Sequence, residues 1–407
     1  MTDAAQPWLT VVGIGDGGLD SLSSEALDAL RAAETIFGGA RHLAMLDDFS
    51  AQQIAWEKPF GDSMIALQAC AGSPTVVLAT GDPMWFGVGA TLTRHVDPAE
   101  MRVLPSPSAF QLTAAALCWP LADCQCLTVH GRPLEAVSRH LVPGARLLIY
   151  SADGSSPQAL ARLLTGRGYG PSRIVVCEHL GGTRERIRAT VAADFDLTGI
   201  ADLNTVAVEC IAGRAAEPRP LVPGLADDAF VNDGKMTKRV LRGLAISALQ
   251  PLPGHLLWDV GAGSGSISVE WLRTAPGMAA IAIEPVAERF GMIRENAEAL
   301  GVPELRIVEG TAPDAYADLP APDAIFIGGG LTDGVFDAAW EALKPGGRMV
   351  AHAVTLESEA ILLDLHARLG GELMRIQVDR AEKVGPYRGF RPAMPVIHWH
   401  VTKSDRP

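Results

Sequence analysis

Lysine is almost missing from the first half of this 407-residue chain. Residues 1–225 hold one, Lys58, and carry 16 basic against 23 acidic residues; the remainder carries 18 against 24, and the whole chain has a formal net charge of −13. Neither half is a basic module, which speaks against tight, sequence-independent binding of nucleic acid, although a local basic pocket stays open. No uncharged apolar run reaches the roughly 18 residues of a membrane span, so no membrane partner is expected. The opening "MTDAAQPWLTVVGIG" lacks a cationic stretch followed by an apolar one, so no secretory signal is read there and a cytoplasmic location is expected. Cysteine is also scarce. All six lie in the first 210 residues, and the second half has none. Cys124 and Cys126 form C-x-C with no matching second pair. A structural zinc needs four ligands, so reduced, mostly buried thiols and no metal are expected.

What is present is apolar sequence in short runs. Hydrophobic residues make up 48% and charged residues 20%, which describes a globular chain with a large core and room for two or three domains. The segment "AGRAAEPRPLVPGLADD" holds Pro218, Pro220 and Pro223 without apolar periodicity, and it reads as a linker. On its left, "WLTVVGIG", "PTVVLAT", "MRVLPS", "ARLLIYS", "SRIVVCE" and "NTVAVEC" read as strands, some separated by amphipathic stretches such as "SLSSEALDALRAAE". On its right, "HLLWDVG", "AAIAIE", "LRIVEG", "DAIFIGG", "GRMVAHAV" and "MPVIHWHV" do the same. Both halves therefore read as α/β with mainly parallel central strands. The expected division is 1–212, a linker at 213–229, and 230–407.

Two glycine-rich turns follow predicted strands. In the second, Asp259 precedes Gly261, Gly263 and Gly265, in G-x-G-x-G spacing, and a helix follows. Glycine lets backbone approach a ligand without a Cβ clash. The dinucleotide fingerprint is spaced G-x-G-x-x-G around a pyrophosphate. Here an acid stands two residues before the first glycine, where it would repel a pyrophosphate and suit an ammonium group. Glu284 ends the next predicted strand, placed to accept from both hydroxyls of a ribose. Ammonium, ribose and no phosphate describe S-adenosylmethionine; a ligand-free turn and a nicotinamide site are the alternatives.

On these residues, 230–400 resembles a class I S-adenosylmethionine-dependent methyltransferase with a Rossmann-like fold. "NDGKMTKRVLRGLAISALQP" and "DAIFIGGG" are similar to the C15 methyltransferases of the cobalamin pathway. The resemblance implies that Thr237 and Gly310, Thr311 and Ala312 also border the cofactor; a helix N-cap is the other reading of Thr237.

The first turn, "GIGDGG", says by itself only that strand and helix meet tightly. "ATGDPMWFG" and "LPSPSAFQLTAAAL" follow it in an order that resembles the tetrapyrrole methylases over about residues 8–212, as does "VCEHLGGTRERIRATV" further on. That resemblance implies two α/β subdomains and a second S-adenosylmethionine site near Gly81, Asp82 and Ser108, with a macrocycle beside it. An Asx-turn closing the loop before Pro83 is the other reading of Asp82. The family commonly has Gly-x-Gly-Pro-Gly in the first turn, and Asp16 here replaces the proline.

Two unrelated methyl-transfer folds in one chain resemble the decarboxylating C5,15-methyltransferase family of cobalamin biosynthesis. The resemblance implies methylation of a precorrin-6 macrocycle at C5 by the first half. It implies methylation at C15 and loss of CO2 from the ring C acetate by the second, and homo-oligomers. No general base is assigned. The substrate's carboxylates call for local cations, and Arg380, Lys383, Arg388 and Arg391, expected in a loop before the last strand, are candidates. Arg184, Arg186 and Arg188 are weaker ones, since a charged exposed helix would also explain them. An RNA methyltransferase and a non-catalytic S-adenosylmethionine-binding protein remain as alternatives.

Overall fold

The structure is a computed structural model that describes residues 7–57 and 59–404, so Lys58 lies outside the described residues. Two compact units emerge: residues 1–134 with 140–217, and 135–139 with 218–407.

The first unit holds two sheets. The first comprises β1 (Leu9–Ile14), β2 (Thr35–Gly38), β3 (Gln52–Ala55), β4 (Thr75–Thr80) and β5 (Met101–Leu104) in the order β3-β2-β4-β1-β5, all parallel. Both faces are buried. Val11, Phe37 and Val77 point into one core, and Val12, Ile14 and Leu78 into another. This double burial is why the central strands read as unbroken apolar runs. The second sheet comprises β6 (Cys124–Thr128), β7 (Arg146–Tyr150), β8 (Arg173–Glu178), β9 (Arg186–Val191) and β10 (Asn204–Glu209), in the order β6-β7-β10-β8-β9. Only β6 and β7 pair in parallel; the other three pairings are antiparallel. The expectation of mainly parallel strands therefore fails for this sheet. Apolar runs reveal strands but not their direction, and the short connection from β8 to β9 is one that only antiparallel neighbours permit.

"TRERIR" is not a helix either. Arg186 and Arg188 lie on β9, and both guanidinium groups bond the buried carboxylate of Glu178, at 2.6–3.2 Å. They are structural ion pairs, already engaged within the protein. The six cysteines are unbonded, but fewer are buried than expected. Cys177 and Cys210 are, Cys118 is exposed and the other three are intermediate. Burial pushes the Cys177 thiol up to about 11 and the Cys210 thiol up to about 12, so both stay protonated and inert.

The second unit is built on one seven-stranded sheet. It contains β11 (Leu256–Val260), β12 (Ala279–Glu284), β13 (Arg306–Glu309), β14 (Ala324–Ile327), β15 (Arg348–Ala353), β16 (Glu372–Ile376) and, after the hairpin β17 (Asp379–Val384) and β18 (Tyr387–Pro392), β19 (Val396–Thr402). The order is β13-β12-β11-β14-β15-β19-β16, parallel through β15, with β19 antiparallel to both its neighbours. Leu257, Phe326 and Val350 face one core, and Trp258, Ile283 and Ile325 the other. At the antiparallel end a row of imidazoles crosses the sheet. His352 Nε2 lies 2.9 Å from His398 Nδ1, and His398 Nε2 lies 3.3 Å from His400 Nδ1. Burial drives the His352 pKa down to about 3 and that of His398 to about 4.

The stretch read as a linker differs from that expectation over its second half, which belongs to the second unit's core. Leu225 is 5% exposed within it. The backbone N–H groups of Gly224 and Leu225 donate to Glu270 at 2.6 and 2.9 Å, and Arg242 Nε donates to the same carboxylate at 2.7 Å. Arg242 also donates to the Leu225 carbonyl and lies 4.6 Å over the Phe230 ring. A proline-rich stretch lacks helix and strand periodicity whether it is free or strapped down, so periodicity alone misses the strap.

Candidate functional sites

In the first unit the turn after β1 packs against the turns after β4 and β5. A Cβ on Gly13 would collide with the Gly81 carbonyl and lie 2.6 Å from Ser106 N. Gly81 has φ +60, and a Cβ there would come within 3.0 Å of Ser108 Cα. Glycine at 13 and 81 is thus what lets three loops meet at the ends of parallel strands, the usual place for a ligand in such sheets. Asp82 closes an Asx-turn, its Oδ1 accepting from Met84 N at 2.9 Å. Ser108 is buried and caps a helix. Its hydroxyl accepts from Gln111 N, and Gln111 Oε1 accepts from Ser108 N at 2.7 Å, a capping box on the helix Ala109–Leu117. Beside this junction Met84, Trp85 and Phe86 are 45%, 38% and 44% exposed. Trp85 and Phe86 meet Phe110 edge-on, and Phe110 stacks on Tyr150 at 3.7 Å. The result is an apolar, aromatic floor next to the Gly81 turn.

The second unit's turn is built differently. Gly261, Gly263 and Gly265 have φ of +70, +61 and +73, and the helix Ser266–Arg273 follows. A Cβ at Gly261 would lie 2.9 Å from the Gly329 carbonyl, which brings the triple glycine after β14 against the loop. A Cβ at Gly263 would meet nothing within 4 Å. That glycine is required by its backbone angle, and open space lies before it. Glu284 is fully buried and anchors the loop. It accepts from Gly263 N at 2.8 Å, from Val286 N at 3.1 Å and from Arg289 at 3.1 Å. A carboxylate offers about four acceptor positions, so little capacity is left while Arg289 holds it. Arg289 also bonds Asp233 at 2.9–3.0 Å.

Asp259 is 1% exposed, and its Oδ2 accepts from the Ser268 hydroxyl at 2.7 Å and from Ser268 N at 3.1 Å. Burial pushes its carboxyl up to about 6 against those bonds, and the charge of Glu284 adds to the push. It lies behind the turn as a fixed acid. Gly310 follows β13 beside Glu284, its N–H donating to the Glu284 carbonyl at 3.2 Å, which places Gly310, Thr311 and Ala312 at the same strand ends. Thr237 is not an N-cap. Lys238 holds that position, and the Thr237 carbonyl accepts from Arg242 at 2.7 Å.

The four C-terminal cations lie in the hairpin β17–β18, not in a loop; the two strands are exposed almost throughout, and Gly385 at φ +59 makes the turn that pairs them. The register sets Arg380 opposite Arg391 and Lys383 opposite Arg388. Sequence reading missed Arg289, Asp233 and the buried Asn296, whose Nδ2 donates to the Ser264 carbonyl at 2.9 Å and so braces the glycine turn. Arg289 meets Asp233 across 56 residues and Asn296 meets Ser264 across 32, and no local pattern marks those contacts.

Comparison with known proteins divides at the same place. Residues 9–196 match the family of tetrapyrrole (corrin/porphyrin) methylases, and residues 228–403 match the precorrin methyltransferase domain. A cobalt-precorrin-7 C(5)-methyltransferase of Salmonella typhimurium is 31% identical over 48% of this chain and 98% of its own. A protein of Pyrobaculum aerophilum named "Probable cobalt-precorrin-6B C(15)-methyltransferase (decarboxylating)" is 35% identical over 43% of this chain and 93% of its own. A precorrin-6Y C(5,15)-methyltransferase (decarboxylating) of Sinorhizobium is 50% identical over 98% of this chain and 97% of its own length. Identity at that level over nearly the whole of both chains means that this chain belongs to the family of decarboxylating precorrin-6Y C(5,15)-methyltransferases.

Proposed function

We propose that the chain methylates a precorrin-6 macrocycle at C5 and C15 and removes the ring C acetate carboxylate as CO2, with C5 assigned to the first unit and C15 with decarboxylation to the second. The observation that carries this is the full-length identity to a relative so named, joined to two differently built glycine turns on separate sheets. We assign each unit its own S-adenosylmethionine site, and S-adenosylmethionine supplies an electrophilic methyl group when bound.

The residues fit that group in the second unit. The open space before Gly263 admits a ligand to backbone contact, and Asp259 behind the turn gives a field suited to a cation. Glu284 receives the ribose if Arg289 releases it, and Thr237 and Gly310–Ala312 border the rest. In the first unit Gly81, Asp82 and the Ser108 helix end frame the site. Exposed Trp85 and Phe86, the latter with Arg132 5.2 Å over its ring, offer aromatic surface that suits a macrocycle. The work left to the protein is alignment of carbon and methyl and exclusion of water. The hairpin cations suit the substrate's carboxylates. Arg391 is paired with Glu382 at 3.2 Å, but like charges placed opposite each other still repel, and a bound polyanion relieves that repulsion.

The test is to incubate the purified chain with S-adenosylmethionine and a precorrin-6 and weigh the product. Two added methylene masses and one lost CO2 are expected. Unchanged substrate with bound S-adenosylmethionine would leave a binding protein, and methylated RNA would favour the RNA reading. A homo-oligomer is expected in light scattering.

A further inference from the structure

Asp16 takes no part in the sites described so far, yet its side chain is only 10% exposed and engaged at both oxygens. Oδ1 accepts from Arg41 at 2.9 Å, and Oδ2 lies 3.0 Å from His179 Nδ1. The two partners come from different sheets of the first unit. Arg41 follows β2, and His179 follows β8. Glycines permit the approach. A Cβ on Gly182 would collide with Asp16, and one on Gly17 would lie 2.7 Å from the Gly181 carbonyl. His179 itself holds φ +51, a backbone conformation uncommon outside glycine, though less so for histidine, Asn and Asp than for other residues, and one that tends to cluster at functional sites. The pair is tied to the Gly81 turn as well, since Arg41 donates to the hydroxyl of Thr80, the residue before Gly81, at 3.2 Å.

We infer that His179 is the base of the first unit's methyl transfer and that Asp16 is its positioning residue. The inference rests on the C5 assignment above. Asp16 accepts from Nδ1–H and so fixes the tautomer that leaves the Nε2 lone pair free to take a proton. Its charge then stabilises the imidazolium. The step balances. The electron pair of the macrocycle carbon forms the new C–CH3 bond, the old C–S pair stays with sulfur, and the hydrogen displaced from the macrocycle leaves as a proton to His179 Nε2 and then to water. The other titratable groups facing the pair have settled roles. Arg41 holds the second oxygen of Asp16. Burial, with Arg41 beside it, keeps His42 neutral with a pKa of about 4, and its Nε2 faces Arg41 and the Thr80 hydroxyl. Glu185 accepts from Gly181 N at 2.7 Å and closes the turn. A mere clasp between the sheets would need only hydrogen bonds, and Gln or Asn can supply those.

That difference is testable in the full chain. His179→Gln should slow C5 methylation by roughly 10²–10⁴-fold in kcat, the range of a general base, with KM little moved. C15 methylation and CO2 loss should be unchanged. His179→Gly suits the φ of +51, and added imidazole should restore part of its C5 activity. Nitrogen-15 NMR should show His179 protonated at Nδ1 in the wild type and the tautomer lost in Asp16→Asn, a readout independent of turnover. A wild-type C5 rate in His179→Gln, failed imidazole rescue in folded His179→Gly, or an Nε2–H tautomer in the wild type overturns the base. A wild-type chain that methylates C15 and never C5 overturns the reading of the first unit, and the base with it.

Discussion

Gly13 and Gly263 lie in turns that look alike in sequence, and they are glycine for opposite reasons. At Gly13 the space a side chain would fill is already taken by the backbone of the Gly81 and Ser106 turns. At Gly263 the space is empty, and the residue is glycine because φ is +61. Gly13 is glycine so that protein can pack against protein, and Gly263 so that one point of its loop stays open, although its neighbours Gly261 and Gly265 are themselves close-packed. A run of glycines after a strand therefore does not by itself announce a ligand. The neighbour of the missing Cβ decides.

Adding one methyl group at each position breaks this comparison most sharply, if it can be broken. Gly13→Ala forces backbone apart at a three-loop junction and should cost ~3–5 kcal/mol, beyond ordinary overpacking. Hydrogen exchange should show the first unit opening while the second stays protected, with C5 methylation lost. Gly263→Ala meets no neighbour and should cost only the ~1–2 kcal/mol of a left-handed alanine. The second unit should remain folded, and the loss should appear in S-adenosylmethionine binding and in C15 methylation together with CO2 release. Equal destabilisation by the two variants would erase the distinction.

A smaller effect sharpens it. Glu284→Ala removes the acceptor of Gly263 N and the partner of Arg289. Binding at the second site should weaken by ~1.5–3 kcal/mol, the range for a hydrogen bond to a charged group, with the first site untouched. Glu284→Gln keeps an acceptor for Gly263 N and should lose less. Calorimetry on the full chain reads both, and unchanged affinity in Glu284→Ala would remove the residue from the site.

How much of this was legible follows the range of the interactions. The six strands expected on each side of the seam all form, because a strand buried on both faces writes itself as an apolar run whichever way its neighbours point. Asp259, the three glycines and Glu284 do meet at one edge, since they span a single strand–turn–helix–strand unit. The four-residue β2 and β3 were too short to stand out, and the charged edge strand β9 and the hairpin β17–β18 left no apolar run. The antiparallel second sheet escaped because apolarity has no direction. Leu225 looked like linker because a single buried leucine among prolines has no period. The Asp16–His179 pair bridges 163 positions, and only the folded chain brings it together. Asp16 stood out as a departure from the proline of its family, but its partner could not be read.

The smallest expected effect lies in pH, and it too should separate the sites. Burial, with Glu284 nearby, raises the Asp259 carboxyl to about 6. The sign follows from linkage. The folded chain keeps this proton between pH 4 and 6, where an unfolded aspartate has already lost it. Ionised Asp259 therefore costs stability as pH rises through 6, and the cost is fully present above. A ligand carrying an ammonium group favours the ionised form and offsets that cost. Below pH 6 binding must first expel the proton, so affinity at the second site should fall by up to about tenfold per pH unit, ~1.4 kcal/mol. Above pH 7 it should be flat. The buried imidazoles of the same unit do not blur this window, because His352 and His398, with pKa values of about 3 and 4, stay neutral in the folded chain at pH 5 and above. Isotherms of the full chain from pH 5 to 8 should contain one component with this dependence, and Gly263→Ala should abolish that component while sparing the other. Affinity that is flat across pH 6, or that rises toward acid, would take Asp259 out of the cofactor's field and leave it as a brace for Ser268 alone.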